Sequence, residues 1–112
     1  MAREQLKGKN IVITGASGGI GAEIAKLCGQ SGANLVLIAR SIEKLKQLQT
    51  DLRQKHQVRV DVYQLDVSDT EKVKDVFSEI TAKIDHIDIL VNNAGFGVFR
   101  EAHEATMDEI KG

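Results

Sequence analysis

ITGASGGIGAEIAK, residues Ile13 to Lys26, joins an apolar run to the start of an amphipathic helix through a turn that holds Gly15, Gly18, Gly19 and Gly21. Upstream, Asn10 to Thr14 (NIVIT) is β-branched and almost wholly apolar, the pattern of a short strand buried on both faces. Downstream, Ile20, Ile24, Leu27 and Cys28 recur at helical spacing and predict the buried face of a first helix, with Gly32 in the turn that follows. A strand ending at Thr14 and a helix opening near Gly19 bring backbone N–H groups and the positive end of a helix dipole to one place, and both favour an anion. Glycines permit positive φ there and let a phosphate approach the backbone with no Cβ in the way. The turn is shaped for a phosphate group. It is not a P-loop, because no Gly-Lys-Ser/Thr follows, and it is not G-x-G-x-x-G. The spacing is T-G-x-x-x-G-x-G, on Gly15, Gly19 and Gly21.

The alternation continues along the chain. Leu35 to Ile38 (LVLI) predicts a second buried strand, and Ile42, Leu45, Leu48 and Leu52 mark one face of a charged helix. Val58, Val60 and Val62 alternate with polar residues as in a third, less buried strand. Ser68 stands three residues before Glu71, the spacing of a capping box, and opens a helix whose apolar stripe is Val73, Val76, Phe77, Ile80 and Ile84. Ile87 to Val91 (IDILV) predicts a fourth strand, which runs into Asn92, Asn93, Ala94 and Gly95. Thr106 and Glu109 repeat the capping-box spacing shortly before Gly112. Strands alternating with helical connections imply parallel pairing and right-handed crossovers. The expected architecture is α/β: a Rossmann-type doubly wound parallel sheet in strand order 3-2-1-4, forming half of a larger sheet.

Composition limits the alternatives. The 112 residues are 42% hydrophobic and 28% charged with net charge −1, as in one soluble globular domain over 1–112. No basic excess argues for nucleic acid, and no apolar run approaches the roughly 18 residues that span a bilayer. The polar start, MAREQLKGKN, lacks the apolar stretch of a secretory signal, and one cysteine, Cys28, fits a reducing compartment; a cytoplasmic location is expected.

The glycine spacing resembles the short-chain dehydrogenase/reductase family. The resemblance extends to the lead-in LKGKNIVITGAS, to Asp66-Val67 after the third strand and to NNAG at Asn92–Gly95, in the family's order and over most of the chain. It implies a nicotinamide dinucleotide cofactor. Gly15, Gly19, Ile20 and Gly21 would line its pyrophosphate, with Gly18 among the cofactor-binding residues of the same turn, Asp66 and Val67 would meet its adenine, and Asn93, Ala94 and Gly95 would run beside its adenosine ribose. Asp66 also reads as a surface aspartate before a helix, and Asn92 as a structural tie between strands. An NAD-preferring site of this kind carries an acidic residue at the end of the second strand. Here Ala39 stands at that place and Arg40 follows. A guanidinium binds a 2′-phosphate through paired donors, and Ser17 offers a hydroxyl, so NADP is favoured over NAD. The other reading makes Arg40 an exposed helix-start residue, with Ser41 as the cap.

The family reduces carbonyls or oxidises alcohols with a serine, a Tyr-x-x-x-Lys pair and a helix asparagine. The sequence has one tyrosine, Tyr63, followed four residues on by Val67. None of the four catalytic residues can be placed, so the 112 residues are expected to be the cofactor-binding half of a longer enzyme and inactive alone. A non-catalytic nucleotide-binding module is the alternative. The implied substrate is a small carbonyl or alcohol, and the complete enzyme is expected to be a homo-oligomer. His56, His86 and His103 show no metal-ligand spacing, Cys28 reads as core, and Phe96 and Phe99 either line a substrate pocket or pack a loop.

Overall fold

The computed structural model describes residues 5–93. Four strands, β1 (Asn10–Thr14), β2 (Asn34–Ala39), β3 (Val60–Gln64) and β4 (Ile89–Asn92), alternate with helices α1 (Gly19–Gln30), α2 (Ile42–His56) and α3 (Thr70–Lys83). All strand pairs are parallel and the order is β3-β2-β1-β4. Ile11 to Thr14 and Leu35 to Ala39 are buried throughout, because β1 and β2 lie in the middle with helices on both faces. One face packs Ile11, Ile13, Leu35 and Leu37 against Ala25 and Cys28 of α1 and Leu45, Leu48 and Leu52 of α2. The other packs Val12, Val36, Ile38 and Leu90 against Val73, Phe77 and Ile80 of α3. This division follows from right-handed crossovers. The chain steps outward from β1 to β3 with its helices on one face, then returns past β1 to β4 with its helix on the other.

The structure corrects the sequence reading in three places. On α1 the buried residues are Gly21, Ala25, Cys28 and Gly29, whereas Ile20 is 71% and Leu27 63% exposed. The helical period is as expected but its phase is turned by about one residue. Small residues face the sheet because the helix must approach closely. A Cβ on Gly21 would collide with the carbonyl oxygen of Gly15 and stand 2.8 Å from Asn93 Nδ2. Second, the cap of α3 is Asp69, whose side chain accepts from Lys72 N–H at 3.2 Å. Ser68 turns back instead and donates its N–H (3.0 Å) and its hydroxyl (2.7 Å) to Asp66 Oδ1. Third, β4 begins at Ile89. Its approach is held by Asp88, whose N–H donates to the Asn10 carbonyl (2.9 Å) and whose Oδ2 accepts from Asn10 N–H (2.8 Å).

Candidate functional site

The carboxyl ends of β1, β2 and β3 open on one side of the sheet. The strand order reverses between β1 and β4, and in open α/β sheets ligands bind outside the carboxyl ends at such a point. A cavity of about 690 Å³ lies there. The glycine turn contributes Gly15 and Ser17, the end of β2 contributes Ile38, Ala39, Arg40 and Ser41, and the segment after β3 contributes Leu65, Asp66, Val67 and Ser68. Its lining combines apolar Ile38, Ala39, Leu65 and Val67 with polar Ser17, Arg40, Ser41, Asp66 and Ser68, as ligand pockets do.

The glycine turn is fixed by backbone geometry. Gly15 adopts φ +65°, a left-handed conformation that glycine takes without a Cβ penalty, and Ala16 N–H then donates to the Ile38 carbonyl at 3.2 Å. The chain thereby crosses over the end of β2 before turning into α1. Gly18 is the N-cap of α1 and supplies no side-chain cap, and the first turn holds no acidic residue. The N–H groups of that turn have no intrahelical partners by construction and aim outward with the positive end of the dipole. A Cβ built on Gly18 or on Gly19 would meet nothing within 4 Å. Neither position places a side chain at the helix N-terminus, where an anion is favoured.

Thr14, fully buried at the end of β1, has its Oγ1 3.2 Å from Asn92 Oδ1 and 3.4 Å from the Val91 carbonyl. Asn92 is thus a tie between β1 and β4. Asn93 Nδ2 donates to the Gly15 carbonyl at 3.2 Å, so the end of β4 clamps the glycine turn from the other side. Asp66 is held ionised. The two bonds from Ser68, with the Arg40 guanidinium contributing, push its carboxyl below the usual carboxylate range. Both Ser68 bonds end on Oδ1. Ser41 occupies the N-cap position of α2 and makes no side-chain capping bond. Arg40 is exposed and lines the cavity, near enough to Asp66 for its charge to act on that carboxylate.

Residues 9–112 match the family described as short chain dehydrogenase. The chain belongs to the short chain dehydrogenase family. A fatty acyl-CoA reductase of Acinetobacter baylyi is 38% identical over 103 residues, which are 92% of this chain and 35% of that protein. The structure of L-sorbose reductase from Gluconobacter frateurii, complexed with NADPH and L-sorbose, superposes with TM-score 0.79 at 40% identity over 86% of this chain and 36% of that one. An alcohol dehydrogenase of Thermococcus sibiricus, complexed with 5-hydroxy-NADP, gives TM-score 0.75 at 28% identity over 94% and 54%. This short chain dehydrogenase sequence spans about a third of the length of the curated relatives it matches.

Of the site residues anticipated from the sequence, Gly15, Ser17, Arg40, Asp66 and Val67 meet at the cavity, with Gly18, Gly19, Ile20 and Gly21 in the adjoining turn and Asn93 clamping it. Ala94 and Gly95 lie outside the described residues, as do Phe96, Phe99, His103 and the Thr106–Glu109 spacing. Tyr63 packs beside α3 with its hydroxyl buried and Lys83 Nζ 5.5 Å from its ring centre, away from the cavity. Burial pushes the Cys28 thiol up, as expected of a core cysteine. Among the described residues no three His, Cys, Asp or Glu side chains group as a metal site, and no helix is long and apolar enough to cross a membrane. Sequence reading missed Gln64, whose side chain reaches the Arg40 carbonyl, and the role of Ser68. The Asp66-x-Ser68 spacing was the available signal for the second; the first has none, because it depends on strand register.

Proposed function

We propose that this chain is the cofactor-binding part of an NADP-dependent oxidoreductase that transfers hydride between the nicotinamide and a carbonyl or alcohol carbon. The observation that carries the cofactor choice is the end of β2, where Ala39 stands in place of the acidic residue that would repel a 2′-phosphate and Arg40 follows it at the cavity. Relatives complexed with NADPH and with an NADP derivative support the same reading.

The residues fit the group. The open cradle before Gly18 and Gly19 and the uncapped N-terminus of α1 receive the pyrophosphate. Ile38, Ala39 and Leu65 flank the adenine, and the ionised Asp66 accepts from its amino group while Val67 packs at its side. Arg40 and the Ser17 hydroxyl donate to the 2′-phosphate. Asn93, with Ala94 and Gly95, borders the adenosine ribose. When bound, the dinucleotide supplies the hydride acceptor or donor. Acid/base groups come from outside residues 1–112, since Tyr63 is packed in β3 without a lysine four residues on, and these residues alone turn over no substrate.

The test is oxidation of NADPH by the full-length protein with a panel of ketones and aldehydes, alongside NADPH and NADH binding to wild type and Arg40→Asp. The substitution removes a charge-assisted donor pair and introduces repulsion, so the NADPH/NADH affinity ratio falls by about 100-fold or more. An unchanged ratio refutes the assignment of Arg40. Turnover by a verified 112-residue chain refutes the placement of the catalytic groups.

A further inference from the structure

Beyond the glycine turn, a second cavity of about 710 Å³ shares Arg40, Leu65, Asp66 and Ser68 with the first and reaches outward to Gln64 and Lys72. Gln64 is the last residue of β3 and pairs in register with Ala39, the last residue of β2. The regular ladder ends there, with Leu65 N–H donating to the Ala39 carbonyl at 2.9 Å. The next carbonyl on the β2 side, that of Arg40, has left the sheet. Gln64 Nε2 donates to it at 3.0 Å. A side chain thus adds one rung beyond the backbone ladder, at the residue whose guanidinium stands at the cavity mouth.

We infer that Gln64 is a positioning residue for Arg40, and through it a determinant of selectivity for a 2′-phosphorylated dinucleotide. The inference rests on the proposed role of Arg40. Arg40 is exposed and no side-chain bond holds Ser41 as a cap; the flanking carbonyls accept from Leu65 N–H (Ala39, 2.9 Å) and Leu45 N–H (Ser41, 3.2 Å), and Gln64 fixes the carbonyl between them, that of Arg40 itself. A long flexible side chain loses less freedom on binding when its own Cα is already fixed. Gln64 makes its bond to the backbone, so its effect falls on the group that Arg40 recognises and spares the rest of the dinucleotide.

The experiment is a double-mutant cycle in the full-length protein, with NADPH and NADH dissociation constants for wild type, Gln64→Met, Arg40→Ala and the pair. Methionine keeps the length and removes the donor. Gln64→Met weakens NADPH by about 3- to 10-fold, the worth of one neutral hydrogen bond, and leaves NADH unchanged. In the Arg40→Ala background the same exchange has no further effect on NADPH, because the residue through which it acts is gone. A loss for NADPH that persists without Arg40 overturns the inference, since Gln64 then touches the cofactor itself. Equal losses for both cofactors, or none for either, overturn it as well. If Arg40→Ala itself leaves the NADPH/NADH ratio unchanged, the assignment of Arg40 has failed and the inference falls with it. Gln64→Ala, which also lacks the donor, repeats the test should the methionine variant be poorly expressed.

Discussion

Gly21 and Gly18 stand three residues apart and are predicted to respond oppositely to alanine. A Cβ on Gly21 would lie 2.8 Å from Asn93 Nδ2, 2.9 Å from the Gly15 carbonyl carbon and closer still to that carbonyl oxygen. Asn93 can swing away, but doing so surrenders its 3.2 Å bond to Gly15. The Gly15 carbonyl cannot yield as easily, because it belongs to a backbone pinned at φ +65° and followed by the Ala16–Ile38 bond. Overpacking costs about 1–3 kcal/mol and the lost hydrogen bond about 1 kcal/mol, so Gly21→Ala should destabilise the fold by ~2–4 kcal/mol. Gly18 is extended at φ −170° and its Cβ would meet nothing. Gly18→Ala should therefore leave stability within about 1 kcal/mol of wild type, with any gain coming from a less flexible unfolded chain. The same methyl intrudes on the phosphate cradle, so it should weaken NADPH about 10-fold or more by displacing the pyrophosphate from the helix N-terminus. Urea melts followed by circular dichroism, with dinucleotide titrations on the folded variants, make both measurements. A Gly21→Ala loss below about 0.5 kcal/mol would mean that the helix tolerates a wider approach than the geometry allows. Undiminished NADPH binding by Gly18→Ala would mean that the cradle is not where the phosphates sit.

Phe77 is the largest fully buried side chain among the described residues and packs between α3 and the sheet, so Phe77→Ala should cost about 3–5 kcal/mol in the same melts. Thr14→Val keeps the shape of a fully buried residue but removes the hydroxyl between Asn92 Oδ1 and the Val91 carbonyl, for an expected loss of about 1–3 kcal/mol; no loss would show that Asn92 is satisfied without it. Ser68→Ala removes the hydroxyl bond to Asp66 and should move that carboxyl's titration, followed by its side-chain carbon resonance, up toward the usual aspartate range. The sign for stability follows from the lowered native value. What the Ser68 bonds contribute is present above the unfolded aspartate pKa and is lost as pH falls through the lower native one, so Ser68→Ala should flatten the acid limb of the stability profile.

The sequence by itself determined the sheet and the strand order, and it pointed to the turn beside which the cavity opens. Apolar β-branched runs at Asn10–Thr14 and Leu35–Ile38 demand burial on both faces, and helical connections between parallel strands leave one handed way to cross. The glycine spacing after β1 then marks the helix N-terminus that opens on the cavity. Tertiary structure decided what periodicity cannot carry. The phase of α1 is set by how closely Gly21 approaches Gly15, so Ile20 and Leu27 face outward although their spacing is helical. The cap of α3 is set by a competition between adjacent side chains, which Asp69 wins because Ser68 is engaged by Asp66. The rung from Gln64 to Arg40 exists only because β2 and β3 end in register, twenty-four residues apart in the chain. Local patterns specify which elements form and which faces are apolar, since both depend on neighbours within a few turns. Contacts between the ends of different strands depend on register and close approach, and those are fixed only when the whole sheet has packed.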